Sequence, residues 1–185
     1  MKVLGVIIAG GKSSRMGQDK ALIAWRGKTL IEHVAARIAP QVDQLLINAN
    51  GDPSRFGFLA LKVIADTSKM GTPLAGLQAA LQFAQDNGFD AVVTATCDSP
   101  LLPADLRERL QGEGSAIAAS AGQAHYLTGF WPVVTLAFFE THSFRRVQDF
   151  AAVVQAQQVE WQVDGYDPFI NLNTPEDLAA LSEKL

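Results

Sequence analysis

Two short segments, residues 3–8 (VLGVII) and residues 91–97 (AVVTATC), are apolar or small at every position and not at every second one. A strand solvated on one face alternates; a strand without alternation is buried on both, as in parallel sheets covered by helices. The intervals between such runs read as helices. Thr29-Leu-Ile-Glu32 has the form of a capping box, and Leu30, Ile31, Val34, Ala35 and Ile38 then give one apolar helical face that ends at Pro40. Residues 42–50 (VDQLLINAN) and 61–66 (LKVIAD) read as strands. Pro73 opens a helix that stops at Gly88, and residues 103–110 form a short helix. Strands are expected again at 115–122, 125–131 and 159–163, with a helix over 144–157. Thr174-Pro175-Glu176-Asp177 begins a last helix with an N-cap, a proline at N1 and acids in its first turn. Alternation of this kind predicts an α/β chain: a single three-layer α/β/α domain over residues 1–185, with a mostly parallel (mixed) sheet of Rossmann-like type. A chain of 185 residues is long enough to bury about 70% of its unfolded surface in one core.

The first strand runs into Ala9-Gly10-Gly11-Lys12-Ser13-Ser14-Arg15-Met16-Gly17-Gln18-Asp19-Lys20, which resembles a phosphate loop but matches neither common spelling. G-x-x-x-x-G-K-[ST] would need glycine where Val6 stands, and G-x-G-x-x-G fails at Lys12. Adjacent glycines let backbone N–H groups approach an anion closely, and Lys12, Arg15 and Lys20 supply positive charge. Lys2, Lys12, Arg15, Lys20, Arg26 and Lys28 face only Asp19 within residues 1–28, although the whole chain carries a net charge of −4. A compact polyphosphate site fits that distribution; a nucleic-acid track does not. The single cysteine, Cys97, excludes an intramolecular disulfide and suits a reducing compartment. Residues 3–10 lack the small-residue cleavage pattern of a signal peptide. The apolar stretch over 116–140 is interrupted by Gln123, His125 and Pro132, so no membrane partner is expected. A cytoplasmic, monomeric protein is the expectation.

In an open parallel sheet, ligands bind beyond the carboxyl ends of the strands. There the chain places Ala9-Gly10-Gly11, then Asn48 and Asn50, then Asp66, then Asp98. Each has a plain structural use: Asn50-Gly51 makes a turn, Asp66 caps a loop, and Asp98 accepts from turn amides. Their arrival at one edge points to a shared crevice. A carboxylate leaving a doubly buried strand needs compensation, and Mg²⁺ bridging to phosphate oxygens would provide it at Asp98. No H-x-x-x-H pair, zinc-binding cysteine pair or G-x-S-x-G elbow is present. A nucleophile that is already anionic needs none of these. A phosphate monoester, with a second pKa of about 6, can attack a nucleotide α-phosphate given in-line positioning, a metal and cations.

The stretch from Ile8 to Gly17, with Asp19-Lys20, resembles the L-A-G-G-x-S-x-R-M-G-x-D-K signature of nucleotidyltransferases with a glycosyltransferase-A-like fold. Asn48 in INAN, Pro73-Leu74-Ala75-Gly76-Leu77, Cys97-Asp98-Ser99-Pro100 and Asn171-Leu172-Asn173-Thr174-Pro175-Glu176-Asp177-Leu178 extend the likeness, in order, to molybdenum cofactor guanylyltransferases over residues 6–178. The resemblance implies Mg²⁺-assisted transfer of GMP from GTP to molybdenum-bearing molybdopterin, with release of pyrophosphate and transient contact with cofactor-delivery proteins. It implies that Ile8, Ala9 and Gly10 contact GTP through the backbone, that Lys20, Asn48, Asp66 and Asp98 line the nucleotide site, and that Asp98 holds Mg²⁺. Arg15, Lys20 and Asp98 would serve catalysis. Asn171 and Asn173 would lie on the acceptor or metal side, though Asn-x-Asn-Thr-Pro also suits the start of a helix. His-Pro is common in the family where this chain has His125-Tyr126, and a second glycine is common where it has Gln18; both differences bear on the acceptor pocket. A CTP-dependent cytidylyltransferase and a GTP-binding adaptor without turnover are the competing functions.

Overall fold

The computed structural model describes residues 1–10, 19–68 and 72–184. In chain order its elements are β1 (Val3–Ile8), β2 (Ala24–Trp25), β3 (Lys28–Thr29), α1 (Leu30–Ile38), β4 (Gln44–Asn48), β5 (Lys62–Ile64), α2 (Pro73–Asp86) and β6 (Ala91–Thr96). They continue with α3 (Leu106–Leu110), β7 (Ala116–Ser120), β8 (Gln123–Pro132), α4 (Phe138–Thr141), α5 (Val147–Val153), β9 (Gln157–Trp161) and α6 (Pro175–Lys184).

Seven strands form one sheet in the order β5-β4-β1-β6-β8-β7-β9. Neighbours pair in parallel except at β8, which runs against both β6 and β7. The expected mostly parallel, mixed sheet is therefore observed. Because only β8 is reversed, its first residues lie at the same sheet edge as the last residues of the other six strands. The turn from β7 into β8 runs through Ala121 (φ 48°) and Gly122 (φ 75°). Two consecutive left-handed residues match the twist of a tight two-residue hairpin.

Both faces of the sheet are covered. Along β1, Val3 and Ile7 pack with Ile31, Val34 and Ile38 of α1, while Leu4, Val6 and Ile8 pack with Leu74, Leu77 and Leu81 of α2. All six β1 residues are buried, which is why the segment shows no alternation in sequence. Gly5 fits this crowding: a Cβ there would lie 2.8 Å from Val42 Cγ2 and 2.9 Å from Leu45 Cδ1. Buried Trp131 on β8 donates from Nε1 to Thr94 Oγ1 on β6 (2.9 Å), so its polar atom is satisfied inside the second core.

The capping box at Thr29 and Glu32 forms as expected, with the Thr29 N–H donating to Glu32 Oε2 at 2.6 Å. The β2–β3 hairpin was not expected, since two-residue strands carry no periodic signal. Trp25 on that hairpin packs with Leu172 and Leu181, and its Nε1 donates to Ser182 Oγ (2.9 Å), which docks α6. The helix expected over 144–157 is shorter, because Gln155 turns left-handed (φ 53°) and the chain enters β9 at Gln157. No helix among the described residues is long and apolar enough to cross a membrane.

Candidate functional site

Parallel pairing of β5, β4, β1 and β6 brings Asp66, Asn48, Ala9-Gly10 and Asp98 to one edge of the sheet, and two polar groups form there. In the first, Asn48 Nδ2 donates to Asp66 Oδ1 (3.0 Å), Asn50 Nδ2 donates to Asp66 Oδ2 (2.8 Å), and the Asp66 N–H donates back to Asn50 Oδ1 (3.0 Å). Asn50 thus clamps Asp66, beyond its expected use as a turn residue. Asn48 is buried, yet its Oδ1 has no hydrogen-bond partner among the described residues. A buried acceptor without a donor costs about 1–3 kcal/mol, so this atom suits an N–H or O–H brought by a ligand.

Gly76 of α2 sits directly against that amide. A Cβ on Gly76 would lie 2.3 Å from Asn48 Oδ1 and 3.1 Å from its Cγ. Gly76→Ala is therefore expected to push Asn48 aside and break its bond to Asp66, which costs about 1–3 kcal/mol as overpacking. Thermal unfolding should show a Tm loss of about 2–12 °C and a reduced response to nucleotide. A variant with both values unchanged would mean that Asn48 takes no part.

The second group surrounds Asp98. Lys20 Nζ lies 3.9 Å from Asp98 Oδ2 and donates to Asn173 Oδ1, with the lysine and aspartate side chains 27% and 16% exposed. Lys20 opens a 3-10 turn capped by Asp19, whose Oδ1 accepts from the Ala21 N–H (3.1 Å) and whose Oδ2 pairs with Arg55 Nε (3.0 Å). Asn171 Oδ1 accepts from Ser99 Oγ (2.7 Å) and Thr96 Oγ1 (3.4 Å), and the Leu172 N–H donates to the Asp98 carbonyl (2.9 Å). The 171–173 segment is thereby strapped across the end of β6. Helix-start chemistry operates as well: Asp177 Oδ2 accepts from the N–H groups of Asn173 and Thr174, both at 2.9 Å, and these bonds hold the carboxyl below its ordinary pKa. The segment thus both starts α6 and ties the chain back to the end of β6.

Of residues 8–10, the Ala9 N–H donates to the Asn48 carbonyl (2.9 Å) and the Ile8 carbonyl accepts from the Cys97 N–H (3.2 Å). Among the described residues, Gly10 has no such commitment. Lys12 and Arg15 lie outside the described residues. Cys97 is partly buried, and burial together with the Asp98 charge pushes its thiol pKa up, which makes it a poor nucleophile. His33 Nε2 is bonded to the Trp25 carbonyl (2.8 Å), a structural link between the hairpin and α1.

No three His, Cys, Asp or Glu side chains gather as metal ligands among the described residues. Asp98 instead offers one carboxylate among hard oxygen donors, beside the hydroxyls of Thr96 and Ser99 and the amides of Asn171 and Asn173. Mg²⁺ is commonly held by one or two carboxylates plus substrate phosphates, and this donor set fits that mode.

The chain is similar to known proteins over most of its length. A family model described as the MobA-like NTP transferase domain matches residues 5–163. A molybdenum cofactor guanylyltransferase from Cereibacter sphaeroides is 44% identical, covering 97% of this chain and 95% of that protein. One from Rhodobacter capsulatus is 42% identical, covering 100% and 97%. The molybdopterin-guanine dinucleotide biosynthesis protein A of Archaeoglobus fulgidus shares the fold at a TM-score of 0.71 and 23% identity, over 99% of this chain and all of that one. CMP:2-keto-3-deoxy-manno-octonic acid synthetase, complexed with CTP, does so at 0.76 and 16% over the whole of both chains.

Proposed function

The chain belongs to the MobA-like NTP transferase family, and on that premise we propose that it is a molybdenum cofactor guanylyltransferase. It transfers GMP from GTP to the terminal phosphate of molybdenum-bearing molybdopterin and releases pyrophosphate. The observation that carries this reading is the grouping of Lys20, Asp98 and Asn173 at the sheet edge that also carries Asn48, whose Oδ1 has no hydrogen-bond partner among the described residues. Residues 1–185 act as one nucleotidyltransferase domain, monomeric and cytoplasmic, meeting cofactor-delivery proteins transiently.

An oxygen of the acceptor phosphate forms a bond to the GTP α-phosphorus while the bond from that phosphorus to the bridging oxygen of pyrophosphate breaks. The acceptor is already anionic near neutral pH, so no side chain has to remove a proton. What the protein supplies is position and charge. Ile8, Ala9 and Gly10 bring the backbone against the nucleotide, with the Gly10 amide and Ala9 carbonyl uncommitted among the described residues. Asn48 and Asp66 act as one hydrogen-bonded unit on the nucleoside. Lys20 and Arg15 offset charge on the phosphates. Asp98 would hold Mg²⁺, which when bound neutralises phosphate charge and polarises the P–O bonds. Asn173 aims Lys20, and Asn171 closes the floor of the acceptor side.

Thermal stability measured against GTP, CTP, ATP and UTP, each with and without Mg²⁺, tests the nucleotide assignment. A ligand at about 100 times its dissociation constant adds about 2.7 kcal/mol. A Mg²⁺-dependent shift with GTP alone is expected. A preference for CTP would make the protein a cytidylyltransferase. GTP binding without pyrophosphate release on addition of molybdopterin would make it an adaptor.

A further inference from the structure

A cleft of about 410 Å³ is lined by Thr96, Ser99 and Asn171, by the start of β8, and by Arg145 and Arg146. His125 of β8 lines it. The ring is fixed from two sides. His125 Nε2 lies 2.7 Å from Ser120 Oγ, and Ser120 Oγ lies 2.8 and 2.9 Å from the two carboxylate oxygens of Asp167. The imidazole also packs on Phe169, with ring centroids 4.9 Å apart. Ser120 is fully buried at the end of β7, and Asp167 is held by the Phe169 N–H (2.9 Å).

A hydroxyl has one proton to give, and a carboxylate can only accept. The Ser120 proton therefore goes to Asp167, and Ser120 Oγ must accept from His125 Nε2–H. That ordering leaves Nδ1 of a neutral imidazole without a proton, and Nδ1 has no hydrogen-bond partner among the described residues. Burial lowers the imidazole pKa, against the opposing charges of Asp167 and Glu160. Ser120 is buried while His125 and Asp167 are half-buried, and His125 lines the same cleft as Ser99, the residue that follows Asp98.

We propose that His125 recognises the nitrogen ring of the acceptor by accepting a hydrogen bond from a pterin N–H at Nδ1, with Ser120 and Asp167 as positioning residues that fix the tautomer. The assignment rests on the guanylyl-transfer reading. Arg145 and Arg146 also line the cleft, Arg146 with its Nη2 3.0 Å from Asp149 Oδ1, and their charge complements an acidic acceptor. The difference at His125-Tyr126 noted in the sequence leaves the histidine itself in place.

The test is titration of the full chain with metal-free molybdopterin, followed by fluorescence, alongside ¹⁵N NMR of His125. The parent should show an Nε2–H tautomer. His125→Ala should weaken molybdopterin binding about tenfold, the worth of one hydrogen bond at the upper end of its range. His125→Asn, which keeps an acceptor near the Nδ1 position, should stay within about threefold of the parent. Asp167→Asn keeps the shape but can donate to Ser120. The hydroxyl proton then turns to His125, the tautomer flips, and binding falls as in His125→Ala while the GTP-induced shift in Tm is unchanged. An Nδ1–H tautomer in the parent, no binding of molybdopterin by the parent, or unchanged affinity in both His125→Ala and Asp167→Asn would overturn the proposal. Molybdopterin binding with these signatures but no pyrophosphate from GTP would overturn the transfer reading alone.

Discussion

Asp98→Ala is expected to lower pyrophosphate release from GTP and molybdopterin by about 10³-fold or more. The estimate follows from the several kcal/mol that a Lewis acid contributes to charge stabilisation, at 1.36 kcal/mol per factor of ten. The substitution is structurally mild. The contact that straps the 171–173 segment to the end of β6 uses the Asp98 carbonyl, which alanine keeps. The side chain is 16% exposed and faces only one cation among the described residues, so its loss leaves no cavity in the core. Asp98→Asn separates charge from shape: it retains volume and hydrogen-bonding capacity, and should lose nearly as much activity. Turnover within tenfold of the parent in Asp98→Asn would show that the carboxylate acts by hydrogen bonding and not by holding a metal. A stability shift with GTP that no longer responds to Mg²⁺ in Asp98→Ala would locate the metal through binding, independently of turnover.

The strands of the site are visible in the sequence because burial on both faces erases alternation, as at Val3–Ile8, and because the polar residues that end them are abrupt. The ends of β4 and β6, and with them Asn48 and Asp98, follow from that pattern; β5, with Lys62 exposed and Val63 and Ile64 half-buried, leads to Asp66 without it. The hairpin Ala24–Trp25/Lys28–Thr29 does not, since its strands are shorter than any period. Its importance is tertiary: Trp25 carries the contacts to α6 that bring Asn171 and Asn173 back across 150 residues of chain. The Ser120–His125–Asp167 relay was likewise hidden. Its members belong to β7, β8 and the segment after β9, and what unites them is the reversal of β8, which puts the first residues of that strand at the edge that carries Asp98. Sequence spacing could not show that reversal. Gly122 between two strand-like runs was the available signal, and a weak one, because Ala-Gly lacks the Asn-Gly or Asp-Gly spelling that marks a tight hairpin.

Lys20→Met should lower the rate by about 10²–10³-fold with little change in Tm, the loss seen when one preorganised charge-stabilising donor is removed. The geometry separates two possible jobs for this lysine. As a structural ion pair with Asp98 at 3.9 Å and 27% exposed, it would contribute at most about 1 kcal/mol. As a catalytic cation it exchanges that long contact for phosphate oxygens as negative charge moves onto the leaving pyrophosphate, a gain made in the transition state and absent from the resting protein. The first job appears as a change in unfolding temperature, the second as a change in kcat at nearly constant Tm. Asn173→Ala tests how far aim matters, since it leaves the charge and removes only the amide oxygen that holds Lys20 Nζ; its loss in kcat should be smaller than that of Lys20→Met. Lys20→Arg should not restore full activity, because a planar guanidinium cannot take the place of a compact ammonium gripped between Asn173 and Asp98. A Lys20→Met protein that releases pyrophosphate within tenfold of the parent would leave the lysine as a partner of Asp98 only, and the charge on the phosphates would then have to be met by Arg15 and the metal.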